Sequence, residues 1–151
     1  MPAIHIVDVQ YALDKTGLPD DEKLTLWANA ALENVEPLVE LSIRIVDEVE
    51  GAQLNEKWSE KSGPTNVLSF PLDVAKEVEP RLLGDIVICA PLISREATEQ
   101  GKLEDAHWAH MVVHGTLHLL GYDHIERSEM KIMESLEIEI LDKLNINNPY
   151  V

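Results

Sequence analysis

The alternation of apolar and polar positions predicts four strands in the first two thirds of the chain. Ala3 to Val9 (AIHIVDV) and Leu41 to Val46 (LSIRIV) alternate around β-branched residues, which indicates two half-buried strands. Two further strands are expected over Asn66 to Leu72 (NVLSFPL) and Gly84 to Cys89 (GDIVIC). Because proline cannot donate to a strand ladder, Pro71 places the third strand at a sheet edge or near its own end.

Helical periodicity predicts one helix between the first two strands and three more in the C-terminal half. The first begins at Pro19 to Asp21, whose acidic residues suit a helix N-terminus. A short helix is expected over Pro91 to Gln100, a long one from Glu104 to Leu120 that ends at Gly121, and a last one from about Glu126. Strands early and helices late favour an α+β fold class, although the helices between strands keep α/β open.

Length and composition indicate one domain over residues 1–151. A chain of 151 residues that is 45% hydrophobic can build a single core. No export signal or membrane span is visible, and the single cysteine, Cys89, excludes an intrachain disulfide, which predicts a cytoplasmic protein without a membrane partner. Twelve basic against 28 acidic residues give a net charge of −16, which on its own argues against binding DNA or RNA.

The run HGTLHLLGYDH, residues 114–124, holds three histidines and a glycine. On a helix, four residues advance about 400°, so His114 and His118 lie nearly above one another and both imidazoles reach one ion. Gly121 just past the helix tolerates positive φ and lets the chain return His124 toward them. Three neutral imidazoles with a fourth position open to water are typical of a catalytic zinc site. The run therefore predicts a metal held by His114, His118 and His124.

Two more histidines precede this run on the same helical stripe. His107, His110, His114 and His118 stacked as ordinary core residues would accumulate desolvation cost, which favours metal binding by the last two. His107 and His110 are each a candidate to orient a metal ligand through a hydrogen bond, but packing near the helix entrance explains either of them at least as well. Asp123 either accepts a hydrogen bond from a metal ligand or is a turn residue.

The spacing is similar to the metzincin protease pattern HExxHxxGxxH with one decisive difference. Gly115 stands where such a protease has its general-base glutamate, so peptide hydrolysis by the usual route lacks its proton acceptor. A metal site without that base still activates water, since zinc brings bound water to a pKa of about 7. Phosphodiester cleavage suits such a site, because the ion neutralises phosphoryl charge and RNA carries its own 2′-hydroxyl nucleophile.

Together with HWAHMVV (residues 107–113), PTNVLSFPLD (Pro64 to Asp73) and LLGDIVIC (Leu82 to Cys89), the histidine run resembles the YbeY family of bacterial single-domain endoribonucleases and rRNA maturation factors. The resemblance extends over nearly the whole chain. It implies a zincin-like α+β fold with a mixed sheet of about four strands and the metal on the long helix and the turn after it.

The same resemblance implies an activity and its partners. The family residues that match His114, His118 and His124 hold a divalent metal, with zinc the first expectation and nickel the second. The family cleaves single-stranded RNA and acts with the small ribosomal subunit in 16S rRNA 3′-end maturation and ribosome quality control.

One segment departs from the family pattern. Where the family has LNxxYRxK, this chain reads LNEKWSEK, Leu54 to Lys61, so Ser59 occupies the place of an arginine that contacts phosphate. A hydroxyl does not replace the planar double contact of a guanidinium. The alternative function is therefore a ribosome assembly factor with weak or no nuclease activity. Lys61 matches the family and is the candidate catalytic residue. Arg44 and Lys57 are either part of a positive region that gathers with it near the metal or solvated surface charges.

Overall fold

The structure, a computed structural model, describes residues 4–59, 65–72, 80–122 and 126–150. These residues form four strands and five helices. In chain order they are β1 (Ile6–Tyr11), α1 (Asp21–Ala31), β2 (Val39–Val46), α2 (Glu48–Ser59), β3 (Val67–Pro71), β4 (Arg81–Cys89), α3 (Ala90–Gln100), α4 (Glu104–Leu119) and α5 (Arg127–Lys143).

The four strands form one mixed sheet in the order β1-β2-β4-β3. β1 pairs parallel to β2 and β2 pairs parallel to β4, whereas β3 pairs antiparallel to β4 at the edge. The sequence predicts that Pro71 lies in an edge strand or at a strand end, because proline has no N–H to donate to a neighbouring strand. Both hold, since β3 is at the edge of the sheet and ends at Pro71. The predicted α+β class and the mixed sheet of about four strands are confirmed.

The sheet separates an apolar face from a polar one. In β2 the buried Leu41 and Ile43 belong to the main core cluster together with Trp108 on α4. Successive strand residues point to opposite faces, so Ser42 and Arg44 lie on the other side of the sheet. The alternation that identified β2 in the sequence therefore decides which face α1 and α4 cover.

Helix α2 was not among the predicted elements. Its sequence, EVEGAQLNEKWS, has few apolar residues and carries Gly51 in its interior, so its periodicity is weak. Leu54 packs in a small second cluster with Val87 and Cys89 on the polar side of the sheet. The helix is thus held by a local tertiary contact rather than by a continuous apolar stripe.

Helix α4 lies at the centre of the fold. It contacts α1, α3, α5, β3 and β4, and eleven of its sixteen residues are buried. Gly121, two residues beyond its end, has φ of 103°, the left-handed conformation that its place in the sequence predicts. No helix in the described ranges combines the length and apolarity needed to cross a bilayer.

Candidate functional site

The predicted ligand pair His114 and His118 lies on successive turns of α4. Their ring centroids are 4.7 Å apart and their planes are inclined by 77°. Both side chains are half-buried, whereas His107 and His110 on the same helix are 4% and 7% exposed. The structure therefore brings the two predicted ligands together where α4 reaches solvent.

The remaining parts of the predicted centre lie outside the described residues. These are His124, the third predicted ligand, and Asp123, a candidate for orienting it. Within the described part of the chain, no three His, Cys, Asp or Glu side chains are arranged to hold an ion. The three-histidine site therefore stays a prediction, of which two members are in place.

A carboxylate from α5 joins the histidines of α4. Glu137 is 1% exposed, and its Oε2 lies 2.6 Å from His110 Nε2 and 3.3 Å from His114 Nδ1. Its other oxygen, Oε1, accepts a hydrogen bond of 2.9 Å from the Tyr150 hydroxyl. One buried carboxylate thus links the long helix, the last helix and the C-terminal segment.

Hydrogen bonds keep this buried carboxylate ionised. Burial by itself raises the pKa of Glu137, but hydrogen bonds from His110 and His114 and their electrostatic influence outweigh burial and lower the pKa to about 2. Burial, with the neighbouring Glu137 charge, raises the pKa of Tyr150, so its hydroxyl remains a donor at neutral pH. The cluster therefore holds one negative charge beside His114.

The sequence carries a signal for Glu137 that the predictions did not use. Met133, Glu137 and Leu141 follow one another at intervals of four on α5, and all three are buried. The sequence interpretation assigned the acids of this helix to its solvent face. A glutamate in register with an apolar stripe marks a buried and partnered charge.

His107 has a different environment from the other three histidines. Its Nε2 lies 2.8 Å from Glu96 Oε1 on α3, and the same carboxylate accepts a hydrogen bond from the Asn66 amide next to β3. Burial lowers the pKa of His107, although the contact with Glu96 acts in the opposite direction. Of the two roles left open for His107, packing at the entrance of α4 is the one these contacts support.

Gly115 packs α4 against the sheet. A Cβ at this position would lie 2.9 Å from Ile86 Cγ2 on β4, and the Gly115 carbonyl accepts a hydrogen bond of 3.3 Å from Ser69 Oγ on β3. A side chain at 115 would therefore meet the sheet. The position that carries the base in metzincins has no room for a glutamate here.

The expected gathering of positive charge at the metal helix is wrong for Arg44. Its guanidinium Nε lies 2.6 Å from Glu50 Oε2, and the residue is on the sheet face opposite α4. Lys57 Nζ lies 5.1 Å from the ring centroid of Trp58, an exposed side chain. Lys61 and the side chain of Ser59 lie outside the described residues.

The residues present fit a divalent ion with imidazole ligands. The contact of His114 Nδ1 with Glu137 makes Nε2 the ring nitrogen through which His114 would bind a metal. A carboxylate behind a ligand histidine is the usual arrangement at protein zinc sites.

Comparisons with known proteins cover most of the chain. Residues 10–145 match the family model described as Endoribonuclease YbeY. The chain is 58% identical over 135 residues to the Endoribonuclease YbeY of Methylococcus capsulatus (strain Bath), which covers 89% of each protein. A solution structure of TM1509 from Thermotoga maritima covers 93% of this chain and 92% of its own, with a TM-score of 0.56 and 23% identity. At that identity the structural likeness concerns the fold.

Proposed function

The chain belongs to the YbeY family of endoribonucleases, hydrolases that act on RNA, and from that premise we propose that it cleaves single-stranded rRNA during maturation of the 16S 3′ end. The observation that carries the proposal is the pair His114 and His118 on α4, both half-buried, with ring centroids 4.7 Å apart. The proposed partner is the small ribosomal subunit and the proposed compartment is the cytoplasm, with no role for DNA or a membrane.

We further propose that His114, His118 and His124 hold one divalent ion, zinc in the first place and nickel in the second. When bound, such an ion supplies positive charge for the phosphoryl oxygens and lowers the pKa of water. Neutral imidazoles leave the charge of the ion uncancelled, which suits an anionic substrate. Because residue 115 is a glycine, the chain has no general base at the position where metzincins carry their glutamate, and RNA carries its own 2′-hydroxyl nucleophile.

The His114→Ala variant tests the metal site and the cleavage together. Purified wild-type protein should cut a single-stranded RNA oligonucleotide, lose the activity on chelation and regain it with zinc. His114→Ala should lose at least about two orders of magnitude in rate, because removal of a ligand disables the site. Glu139→Gln, an exposed change on α5, is the matched control and should cut as wild type does. Equal cutting by His114→Ala would show that another group is the catalyst.

The alternative, an assembly factor with little nuclease activity, rests on Ser59 in place of the family arginine. Ser59→Arg distinguishes the two functions. A weakened enzyme should gain at least about tenfold in cleavage rate, since a guanidinium stabilises developing phosphoryl charge. A binding factor should show no gain, while still co-sedimenting with small subunits. Ser59→Lys separates the planar double contact from the added charge.

A further inference from the structure

We propose that Glu137 is a positioning residue that fixes the ring of His114 in the tautomer required for metal binding. The inference rests on the proposed metal site and adds to it a residue from another helix. It is carried by the geometry between α4 and α5, where a buried carboxylate stands behind the ligand histidine.

The two oxygens of Glu137 accept from three side chains. Oε2 receives His110 Nε2 at 2.6 Å and His114 Nδ1 at 3.3 Å, and Oε1 receives the Tyr150 hydroxyl at 2.9 Å. An ionised carboxylate only accepts, so each of these groups has to present a hydrogen to it. His114 therefore carries its hydrogen on Nδ1, and Nε2 is the nitrogen through which it would bind a metal.

His110 supports Glu137 from the same helix as His114. Its Nε2 lies 2.6 Å from Oε2 and donates to the carboxylate, whereas within the described part of the chain its Nδ1 is buried and has no hydrogen-bond partner. The only hydrogen bond of the His110 ring to a charged group is therefore directed at Glu137, which holds the carboxylate oxygen in place behind His114.

The position of Glu137 on α5 argues against simple packing as its purpose. It occupies the middle of the buried Met133 and Leu141 stripe, where an apolar residue would pack without desolvating a charge. Replacing a buried charge and its partners by apolar residues is often neutral or stabilising. The carboxylate instead faces the histidines of α4. Of the three side chains that contact it, only His114 is a predicted metal ligand.

Substitution of Glu137 by glutamine separates positioning from fold stability. A glutamine amide offers donors as well as an acceptor, so it no longer forces the hydrogen onto His114 Nδ1. In competition with a chromogenic chelator, Glu137→Gln should bind zinc about 10- to 100-fold more weakly than wild type. The exposed Glu139→Gln on the same helix should match wild type. Wild-type zinc affinity in Glu137→Gln, with only a lowered melting temperature of the metal-free protein, would assign Glu137 a structural role and overturn the inference.

Nitrogen-15 NMR of the wild-type ring tests the same inference without a variant that has to fold. Metal-free protein at a pH above the imidazole range should show His114 protonated on Nδ1, with the resonance assigned by its absence from His114→Ala. Protonation on Nε2 would overturn the inference. If wild-type protein binds no zinc while His114 is the Nδ1 tautomer, the proposed metal function fails and the positioning by Glu137 stands.

Discussion

At the scale of single residues, Tyr150 and His114 contact different oxygens of the Glu137 carboxylate. The Tyr150 hydroxyl bonds to Oε1, whereas His114 contacts Oε2. Tyr150→Phe should lower the free energy of unfolding by about 1–2 kcal/mol, because the hydrogen bond to the charged Glu137 and the 3.3 Å contact of the hydroxyl with His110 Nε2 are both lost. Zinc affinity should change by less than about threefold, a smaller effect than that of replacing the carboxylate.

Urea denaturation of the metal-free protein and chelator competition measure the two effects of Tyr150→Phe separately. Glu139→Gln, an exposed change on α5, is the control and should leave both quantities unchanged. A loss of zinc affinity as large as that of Glu137→Gln would show that the C-terminal segment, not Glu137 alone, orients the ligand.

A second residue-scale prediction concerns acid and His107. Burial lowers the pKa of His107 below its unfolded value, although Glu96 opposes this, and His110 and Lys102 act in the same direction as burial. As pH falls through about 6.5 the unfolded chain takes up a proton at this ring before the folded protein does, so stability decreases. The decrease in unfolding free energy between pH 7.5 and 5.5 should be smaller in His107→Gln. An equal decrease in both proteins would assign the acid sensitivity to other groups.

The residue scale also shows the limits of the sequence. His114 and His118 were identified because both lie on one helix, where spacing alone decides which side chains meet. Glu137 contacts His114 across 23 residues of sequence, and its partner depends on how α5 packs against α4. No local sequence pattern predicts a contact between residues so far apart in the chain. The sequence does place Glu137 in register with the buried Met133 and Leu141, which indicates that the carboxylate has a buried hydrogen-bond partner but does not identify that partner.

At the scale of elements, the contact between α4 and β4 depends on the absence of a side chain at Gly115. Alanine there gains up to about 1 kcal/mol of helix propensity, but its Cβ would lie 2.9 Å from Ile86 Cγ2. Ile86 is fully buried and β-branched, so it yields little. Gly115→Ala should therefore destabilise the protein by about 1–2 kcal/mol, measured by urea denaturation.

A double-mutant cycle isolates this contact. In an Ile86→Ala background the space next to 115 is open, and Gly115→Ala should there be neutral or stabilising. The coupling should be absent with Ile45→Ala, a buried isoleucine of β2 for which no contact with Gly115 is expected. If Gly115→Ala has the same effect on stability in wild-type protein and in the Ile86→Ala background, α4 and β4 do not meet through Gly115 and Ile86.

Element prediction succeeded where one face of an element is apolar along its length. The alternation of β2 and the capped start of α1, where Asp20 accepts from the Lys23 amide, are both visible in the sequence. α2 was missed because the contact that holds it, Leu54 with Val87 and Cys89, joins residues far apart in the chain. The sheet order followed from the sequence only in part: Pro71 identified the edge strand, but the parallel pairing of β2 with β4 depends on the whole topology.

At the scale of the whole molecule, an endoribonuclease with a net charge of −16 has to approach a polyanion. Arg44, which was expected to oppose that repulsion at the metal helix, is paired with Glu50 on the far side of the sheet. Lys23 and Arg95 are likewise paired with carboxylates. With Lys143, which pairs with Glu33, these are four of the ten lysines and arginines in the described ranges. Because the net charge is −16, long-range attraction of RNA is weak.

This charge distribution predicts an unusual response to salt. Nucleases that bind through many phosphate contacts lose affinity steeply as salt rises, because binding releases counterions. Here salt screens a net repulsion, so kcat/KM on a short single-stranded RNA should stay level or rise by roughly twofold between about 50 and about 200 mM NaCl. The rise should be larger for a longer oligonucleotide than for a dinucleotide, since more phosphates are repelled. A tenfold or greater fall in kcat/KM over this salt range would reveal a basic RNA-binding surface. Residues 60–64, which include Lys61, would then be the first region to mutate, because they lie outside the part of the chain that the structure describes.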